Sequence, residues 1–259
     1  MSDFKSDDIL LLEKRILELA SRSYASSLFT FTDFFGLLEQ DVFRSTVPKL
    51  ARGVRYTLFG GAEGTERVMV RFGDEEDLGY EVPFPIVMLR IVPKAPKFAE
   101  KLFHRDVLGA LMHLGIEREL LGDIVLRDEG KLIFVFAEEK IAPFIISELT
   151  TIRNTQVLVT VTDELPECEL FQTEAVIVKA MSERLDGVIA KLYSLSREEA
   201  SGYFSRSLVF AEGRCITSPS YTPKQGERIS VRGLGRFVYE GYVSDTKKGK
   251  MNIRVLKYV

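Results

Sequence analysis

Two arginines near the starts of predicted helices carry the chemistry that this sequence suggests most directly. Arg184 lies in the segment Ser182-Glu183-Arg184-Leu185-Asp186, and Arg197 directly follows Ser196. Guanidinium groups form paired hydrogen bonds with phosphate oxygens, and the amide groups at the start of a helix also favour anions. The two arginines therefore predict contact with the phosphate backbone of a nucleic acid.

Charge is distributed unevenly along the chain. The net charge is −3, yet residues 179–259 contain 15 Lys or Arg and 8 Asp or Glu, whereas residues 1–178 contain 20 and 30. A basic region attracts polyanions, although charge alone favours a solvated charged surface. The turn Thr246-Lys247-Lys248-Gly249-Lys250 precedes an alternating segment, 251–256, that reads as an edge strand. A basic loop held by such a hairpin could bind phosphate.

Two short helices must position the arginines. Ser182 is the predicted N-cap of the first helix, whose buried stripe consists of the apolar residues 185, 188, 189 and 192. Ser196 and Glu199 form the S-x-x-E capping box that predicts the start of the second helix. Arg184 and Lys191 would then face water or phosphate, and Arg197 would lie in the first turn of the second helix.

The length of 259 residues allows two or three domains, and the charge break near residue 178 favours a boundary there. We predict an α+β chain with a mixed N-terminal domain (1–80), a ferredoxin-like, RRM-like middle domain (81–165) and a basic C-terminal domain (179–259). Residues 163–178 read as a connector. The middle domain shows the order β-α-β-β-α-β. Its third strand, 131–136, lacks the glycine and aromatic pattern of an RRM, so we do not expect bases to stack on this sheet.

The N-terminal domain is predicted to begin with an amphipathic helix capped within Ser6–Asp8. A second short helix would be capped by Thr32 or Asp33. Strands are predicted at 54–59 and 67–72, on either side of a glycine-rich turn at 60–64.

Other segments resemble catalytic or ligand-binding motifs but lack residues that those motifs require. Gly60–Thr65 lacks the lysine of a phosphate-binding loop, so a hairpin turn is favoured. His104-Arg105-Asp106 resembles a kinase catalytic loop, but residue 111 is leucine where a metal-binding asparagine is needed; it reads instead as a helix start in which His104 or Asp106 meets free amides. His104, His113, Cys168 and Cys215 are too few and too scattered for a metal site or a disulfide framework. We expect neither metal nor cofactor.

The chain shows no targeting or membrane signal. Its acidic start, Met1–Asp8, is unlike a signal or transit peptide, and no apolar run approaches about 20 residues. The sequence predicts a protein of the reducing cytoplasm with no membrane partner.

The segment Ser182–Phe237, with its two helices followed by Ile229-Ser230-Val231-Arg232-Gly233, resembles an S4 (αL-type) RNA-binding domain. Two positions depart from that pattern. Ser207 replaces a glycine, and Glu212 replaces the asparagine of a turn, where an acidic side chain would repel a nearby phosphate.

Arg184-Leu185-Asp186 also resembles the catalytic region of pseudouridine synthases, in which an aspartate attacks a uridine. Here Gly187-Val188-Ile189 follows instead of a Thr-Ser-Gly turn. We therefore expect Asp186 on the exposed side of the first helix, near its positive end, and expect no enzymatic activity.

Several motifs along the chain, taken with the S4-like segment, resemble the YlmH family. They are Gly60-Gly61 with Glu66-Arg67, His104–Leu111, Leu114–Glu119 and Gly122-Asp123-Ile124. The resemblance implies an RNA-binding protein of bacteria or plastids that sits on the large ribosomal subunit during ribosome-associated quality control. It would contact rRNA and tRNA there, while a separate elongation factor supplies the chemistry.

Carried over to this sequence, the resemblance implies an RNA-binding role for seven residues. Arg184, Arg197 and Arg206 are the main candidates, Lys247 and Lys248 are outer phosphate contacts, and Arg232 and Arg236 are secondary. Two alternatives remain open. The chain could be a protein-interaction factor in cell division or photosystem assembly with an auxiliary S4 domain, or an RNA-modifying enzyme that uses Asp186.

Overall fold

The computed structural model describes residues 6–163, 171–246 and 249–258. The chain divides into two compact units, Met1–Leu170 (unit 1) and Phe171–Val259 (unit 2). Both units combine helices with antiparallel sheets, which confirms the predicted α+β class. Cys168, Lys247 and Lys248 lie outside the described residues.

The first part of unit 1 packs helices on a three-stranded sheet of order β1-β3-β2. Its elements are α1 (Ser6–Ser26), β1 (Thr30–Phe31), α2 (Leu37–Thr46), β2 (Tyr56–Phe59), β3 (Met69–Phe72) and α3 (Glu75–Leu78). The N-cap of α2 is Gly36, so the predicted start at Thr32 or Asp33 is wrong. The Thr32 hydroxyl instead accepts a hydrogen bond from the Val70 amide (2.9 Å), which ties the chain before α2 to the sheet.

The second part of unit 1 is a five-stranded antiparallel sheet of order β5-β6-β4-β8-β7, with two helices on one face. Its elements are β4 (Ile86–Pro93), α4 (His104–His113), β5 (Leu121–Arg127), β6 (Leu132–Glu138), α5 (Ala142–Glu148), β7 (Thr151–Ile152) and β8 (Thr155–Val161). At the start of α4 the Asp106 carboxylate accepts a hydrogen bond from the Phe103 amide (2.9 Å). The sequence predicted this helix start.

Unit 2 is a six-stranded antiparallel sheet of order β11-β10-β12-β13-β14-β9, with two helices against its core face. Its elements are β9 (Thr173–Ala180), α6 (Leu185–Leu192), α7 (Arg197–Ser205), β10 (Val209–Ala211), β11 (Arg214–Cys215), β12 (Glu227–Val231), β13 (Gly235–Asp245) and β14 (Met251–Tyr258). The predicted connector therefore contains a strand, β9. Because β9 pairs with β14 along its whole length, the prediction that 251–256 is an edge strand is wrong.

The sequence predicted the cap of one helix in unit 2 correctly and that of the other wrongly. The capping box at Ser196 is confirmed, since the Glu199 amide donates to the Ser196 hydroxyl (3.2 Å) and the Ser196 amide to the Glu199 carboxylate (2.8 Å). The N-cap of α6 is Arg184, so Ser182 is not its cap. The amides of Leu185 and Asp186 donate instead to the carbonyls of Tyr221 (2.8 Å) and Pro219 (3.2 Å).

None of the helices in the described ranges is long and apolar enough to cross a membrane. Across those same ranges, no cluster of three or more His, Cys, Asp or Glu side chains could hold a metal ion.

Candidate nucleic-acid interface

Arg184 and Arg197 converge on one carboxylate, that of Asp186, and we call these three residues the Asp186 cluster. The Arg184 guanidinium donates two hydrogen bonds to Asp186, at 3.1 Å to Oδ1 and 3.0 Å to Oδ2. Arg197 Nε lies 3.5 Å from Oδ2. The Asp186 side chain is only 4% exposed, whereas those of Arg184 and Arg197 are 41% and 70% exposed. Two guanidinium groups are thus held at the surface by a buried anion.

The prediction that Asp186 lies on the exposed side of its helix is wrong. It lies in the first turn of α6 as expected, but its carboxylate turns inward and also accepts the Gly187 amide (2.9 Å). Burial alone would raise the pKa of Asp186, but the hydrogen bonds from Arg184 and Gly187 and the charges of Arg184 and Arg197 outweigh it and lower that pKa. Asp186 is therefore a carboxylate at neutral pH.

The first amides of α6 are occupied. Leu185 and Asp186 donate to loop carbonyls, and the Gly187 amide donates to Asp186 itself. This helix start therefore offers no free amide at those positions, and any anion near it would meet the guanidinium groups instead.

Arg206 and Arg232 lie on neighbouring segments of unit 2. Arg206 follows α7, where its guanidinium stacks 4.9 Å from the centre of the Tyr203 ring and its Nε donates to the Gly202 carbonyl (3.0 Å). The Arg232 amide donates to the carbonyl of Leu208 (2.9 Å), two residues beyond Arg206. Both residues are exposed, so both side chains can contact a ligand.

Arg236 lies on a different face from the helices. Its neighbour in β13, Phe237, is buried in the core that α6 and α7 share, and adjacent strand residues point to opposite faces of a sheet. The Arg236 guanidinium lies 4.7 Å from the centre of the Phe171 ring and 4.4 Å from the centre of the Tyr258 ring. The structure thus separates Arg236 from the Asp186 cluster.

Both departures from the S4 pattern fall at residues with left-handed backbone. Ser207 has φ +54°, and Glu212 and Gly213 have φ +47° and +75° in the two-residue turn between β10 and β11. The negative charge of Glu212 is partly compensated there by Arg228. Its carboxylate accepts the Arg228 amide (2.7 Å) and pairs with the Arg228 guanidinium (3.3 Å). The repulsion expected from this turn is therefore reduced.

The motif residues of unit 1 meet where its two parts join, and we call Arg67, Arg118 and Asp123 the junction cluster. The Asp123 carboxylate accepts the amides of Glu66 (2.7 Å) and Arg67 (3.1 Å). The Arg67 guanidinium donates to the carbonyls of Leu121, Phe34 and Arg118 (2.8, 2.9 and 3.2 Å). Burial, together with the charge of Arg67, lowers the pKa of Arg118 to about 10. These donors are turned toward the main chain, which gives the cluster a structural role.

The sheet of the middle region has little room for stacked bases. Phe134 and Phe136 lie on the face of β6 opposite the helix core, but they are 2% and 1% exposed. The glycine-rich turn packs on Phe136, since a Cβ at Gly61 would collide with its ring. These two aromatic side chains are therefore unavailable to a ligand.

Sequence reasoning missed two features of the interface. The Tyr203–Arg206 stack has the i, i+3 spacing that brings helix side chains together, so the sequence does contain a signal for it. The burial of Asp186 had no local signal, because it depends on Arg197 from another helix and on the loop at Pro219.

Comparison with known proteins finds similarity to a family model, to a bacterial protein and to a solved structure. Residues 81–164 match the family model described as "Putative RNA-binding domain in YlmH". The "Ribosome-associated protein quality control protein P2" of Bacillus subtilis (strain 168) is 26% identical over 229 residues, which span 86% of this chain and 84% of that protein. The solved structure "Cell division protein ylmH from Streptococcus pneumoniae" aligns with a TM-score of 0.50 at 16% identity, covering 62% of this chain and 94% of that chain. This last similarity concerns the fold alone.

Proposed function

We propose that this chain, which is a protein of the YlmH family, binds structured rRNA and tRNA on the large ribosomal subunit and acts in ribosome-associated quality control. Unit 2 would serve as its S4 domain, and the second part of unit 1 as its RRM-like domain. A ribosomal partner would be consistent with a cytoplasmic location. The elongation chemistry would come from a separate factor.

The Asp186 cluster is the observation that carries this proposal. A guanidinium fixed by a buried carboxylate keeps its remaining N–H groups turned outward, and such a group binds phosphate with little loss of side-chain freedom. Two of them side by side suit a ligand with regularly spaced phosphates. Contacts of this kind recognise the backbone and shape of a folded RNA and not its sequence.

The same geometry favours a non-enzymatic role. A nucleophilic aspartate must reach its substrate, whereas the Asp186 side chain is 4% exposed and both of its oxygens are engaged by Arg184. Asp186→Ala should therefore change RNA binding, and the chain should show no uridine isomerisation that depends on Asp186. A uridine isomerisation that disappears in Asp186→Ala would instead establish the enzymatic alternative.

The test is the salt dependence of RNA binding by the full chain. Replacing Arg184 and Arg197 by Ala should weaken binding to tRNA and to purified large ribosomal subunits, and should reduce the salt slope by about one for each phosphate that the variant no longer binds. Arg254→Ala is the matched control, because this 51% exposed guanidinium pairs with Glu240 on β13, away from the Asp186 cluster.

An unchanged affinity and slope in the double variant would refute the proposal. If protein partners were then retained after nuclease treatment, the result would favour the protein-interaction alternative.

A further inference from the structure

A surface segment, residues 94–105, combines exposed aromatic rings with positive charge. This segment runs from the end of β4 through the first two residues of α4. It contains Lys94, Lys97, Lys101 and Arg105 but only one acidic residue, Glu100. Phe98 is 90% exposed and Phe103 is 45% exposed. Phe98 lies between Lys97 and Lys101 in the sequence and is almost fully exposed to solvent. It therefore has no role in the core of unit 1.

Phe98 is exposed although the backbone on both sides of it is anchored. The Lys94 amide donates to the Gln156 carbonyl (2.9 Å), and the Glu100 amide donates to the Thr155 hydroxyl (3.3 Å). Leu102 is buried against Gly130, where a Cβ would collide with the Leu102 main chain. The backbone is therefore anchored on both sides of Phe98, and the ring is held in water by fixed neighbours.

The charges of Lys94 and Lys97 are available to a ligand, whereas Lys101 lies 3.7 Å from Glu129 and Arg105 lies 4.0 Å from Asp106. Glu100 is already engaged, since it accepts the Asn154 amide (2.9 Å) and lies 3.6 Å from Arg153 Nε. Lys94 and Lys97 take part in none of the ion pairs among the described residues. At the other end, Arg105 lies 5.6 Å from the centre of the Phe103 ring.

We propose that residues 94–105 form a second RNA contact, in which Phe98 stacks on an unpaired base while Lys94 and Lys97 bind the flanking phosphates. An exposed ring beside cationic side chains is the arrangement by which proteins hold single-stranded nucleic acid. The aromatic side chains of the sheet cannot do this, because Phe134 and Phe136 are buried. The inference rests on the proposed RNA-binding function and locates its contact within the region, 81–164, that matches the RNA-binding family model.

The test uses the full chain and a fluorescent 12-nucleotide oligouridylate, with binding measured by anisotropy at several salt concentrations. Phe98→Ala should weaken binding by about 5-fold or more and leave the salt slope unchanged, because stacking carries no charge. Phe98→Tyr should bind like the parent chain. Lys94→Ala with Lys97→Ala should reduce the slope by about 0.7 for each phosphate that is no longer bound.

Tyr24→Ala is the matched control, since this 63% exposed ring on α1 lies outside the segment. Its affinity should equal that of the parent chain. An affinity of Phe98→Ala within twofold of the parent chain overturns the inference. So does a Phe98→Ala chain that binds oligouridylate normally but loses a nuclease-resistant protein partner, because the ring would then serve a protein contact.

The outcomes separate this inference from the proposed function. If the Arg184 and Arg197 variant loses tRNA binding while Phe98→Ala binds normally, only the second contact is refuted. If Phe98→Ala loses oligouridylate binding while the arginine variant still binds tRNA and ribosomal subunits normally, the second contact stands and the Asp186 cluster is refuted as an RNA contact.

Discussion

Asp186→Asn tests whether the buried carboxylate positions the two arginines or merely reduces the positive charge around them. The substitution keeps the size of the side chain and removes one negative charge. A net-charge argument predicts tighter RNA binding, because the surface of unit 2 becomes more basic. The positioning argument predicts weaker binding, because Arg184 and Arg197 lose the anion that fixes them.

The structure gives the size of the second effect. Immobilising a mobile side chain on binding costs about 0.5–1.5 kcal/mol, and two guanidinium groups lose their anchor here, so binding should weaken by about 1–3 kcal/mol. That corresponds to roughly 5- to 150-fold in affinity at each salt concentration. The salt slope should stay nearly unchanged, because the same phosphates are still bound.

The assay is a titration of labelled tRNA with the full chain at several salt concentrations, after circular dichroism has shown that the variant is folded. Glu240→Gln provides the matched control: it also removes one negative charge paired with an arginine, but on β13 beside Arg254. It should bind equally well or slightly more tightly. If Asp186→Asn binds as tightly as Glu240→Gln, the positioning role of Asp186 is refuted.

Three further predictions concern stability. Arg67→Ala should destabilise unit 1 by about 3 kcal/mol or more in urea unfolding, because the carbonyls of Leu121, Phe34 and Arg118 lose a charged donor; an unchanged midpoint would contradict the role of the junction cluster. Ser207→Gly should stabilise unit 2 by about 0.5–1 kcal/mol, seen as a higher Tm, because φ is +54° there, and a lower Tm would show that the serine side chain matters more than the backbone. The folded-state pKa of Asp186 is lowered, so its ionic contribution to stability is present above the unfolded pKa and is lost as the pH falls through the folded pKa; the stability gap between the parent chain and Asp186→Asn should therefore close below about pH 4, and a pH-independent gap would contradict an ionised Asp186.

The features that the sequence predicted correctly are those set by nearby residues. The capping box of α7 joins Ser196 to Glu199, three positions along, and the start of α4 joins Phe103 to Asp106 at the same spacing. Both could be recognised because the partners recur at fixed intervals.

The errors occurred where the partner is distant in sequence. The start of α6 is satisfied by the carbonyls of Pro219 and Tyr221, more than thirty residues beyond Leu185, so nothing near Ser182 could reveal it. β14 is internal because β9, which precedes both helices, pairs with it. Asp186 is buried because it binds arginines from two elements. Such pairings follow from tertiary packing, which overrides local propensity.

The contact proposed at residues 94–105 also shows why regional charge is a poor guide to RNA binding. Residues 1–178 are acidic as a whole, with 30 Asp or Glu against 20 Lys or Arg, which favours the C-terminal part of the chain as the RNA-binding region. At physiological ionic strength, however, exposed charges are screened beyond about 8 Å. A phosphate beside Phe98 would feel Lys94 and Lys97 much more than any carboxylate beyond that distance. Whether a surface attracts RNA is therefore decided by the charges within that distance and by an exposed ring among them, and residues 94–105 provide both.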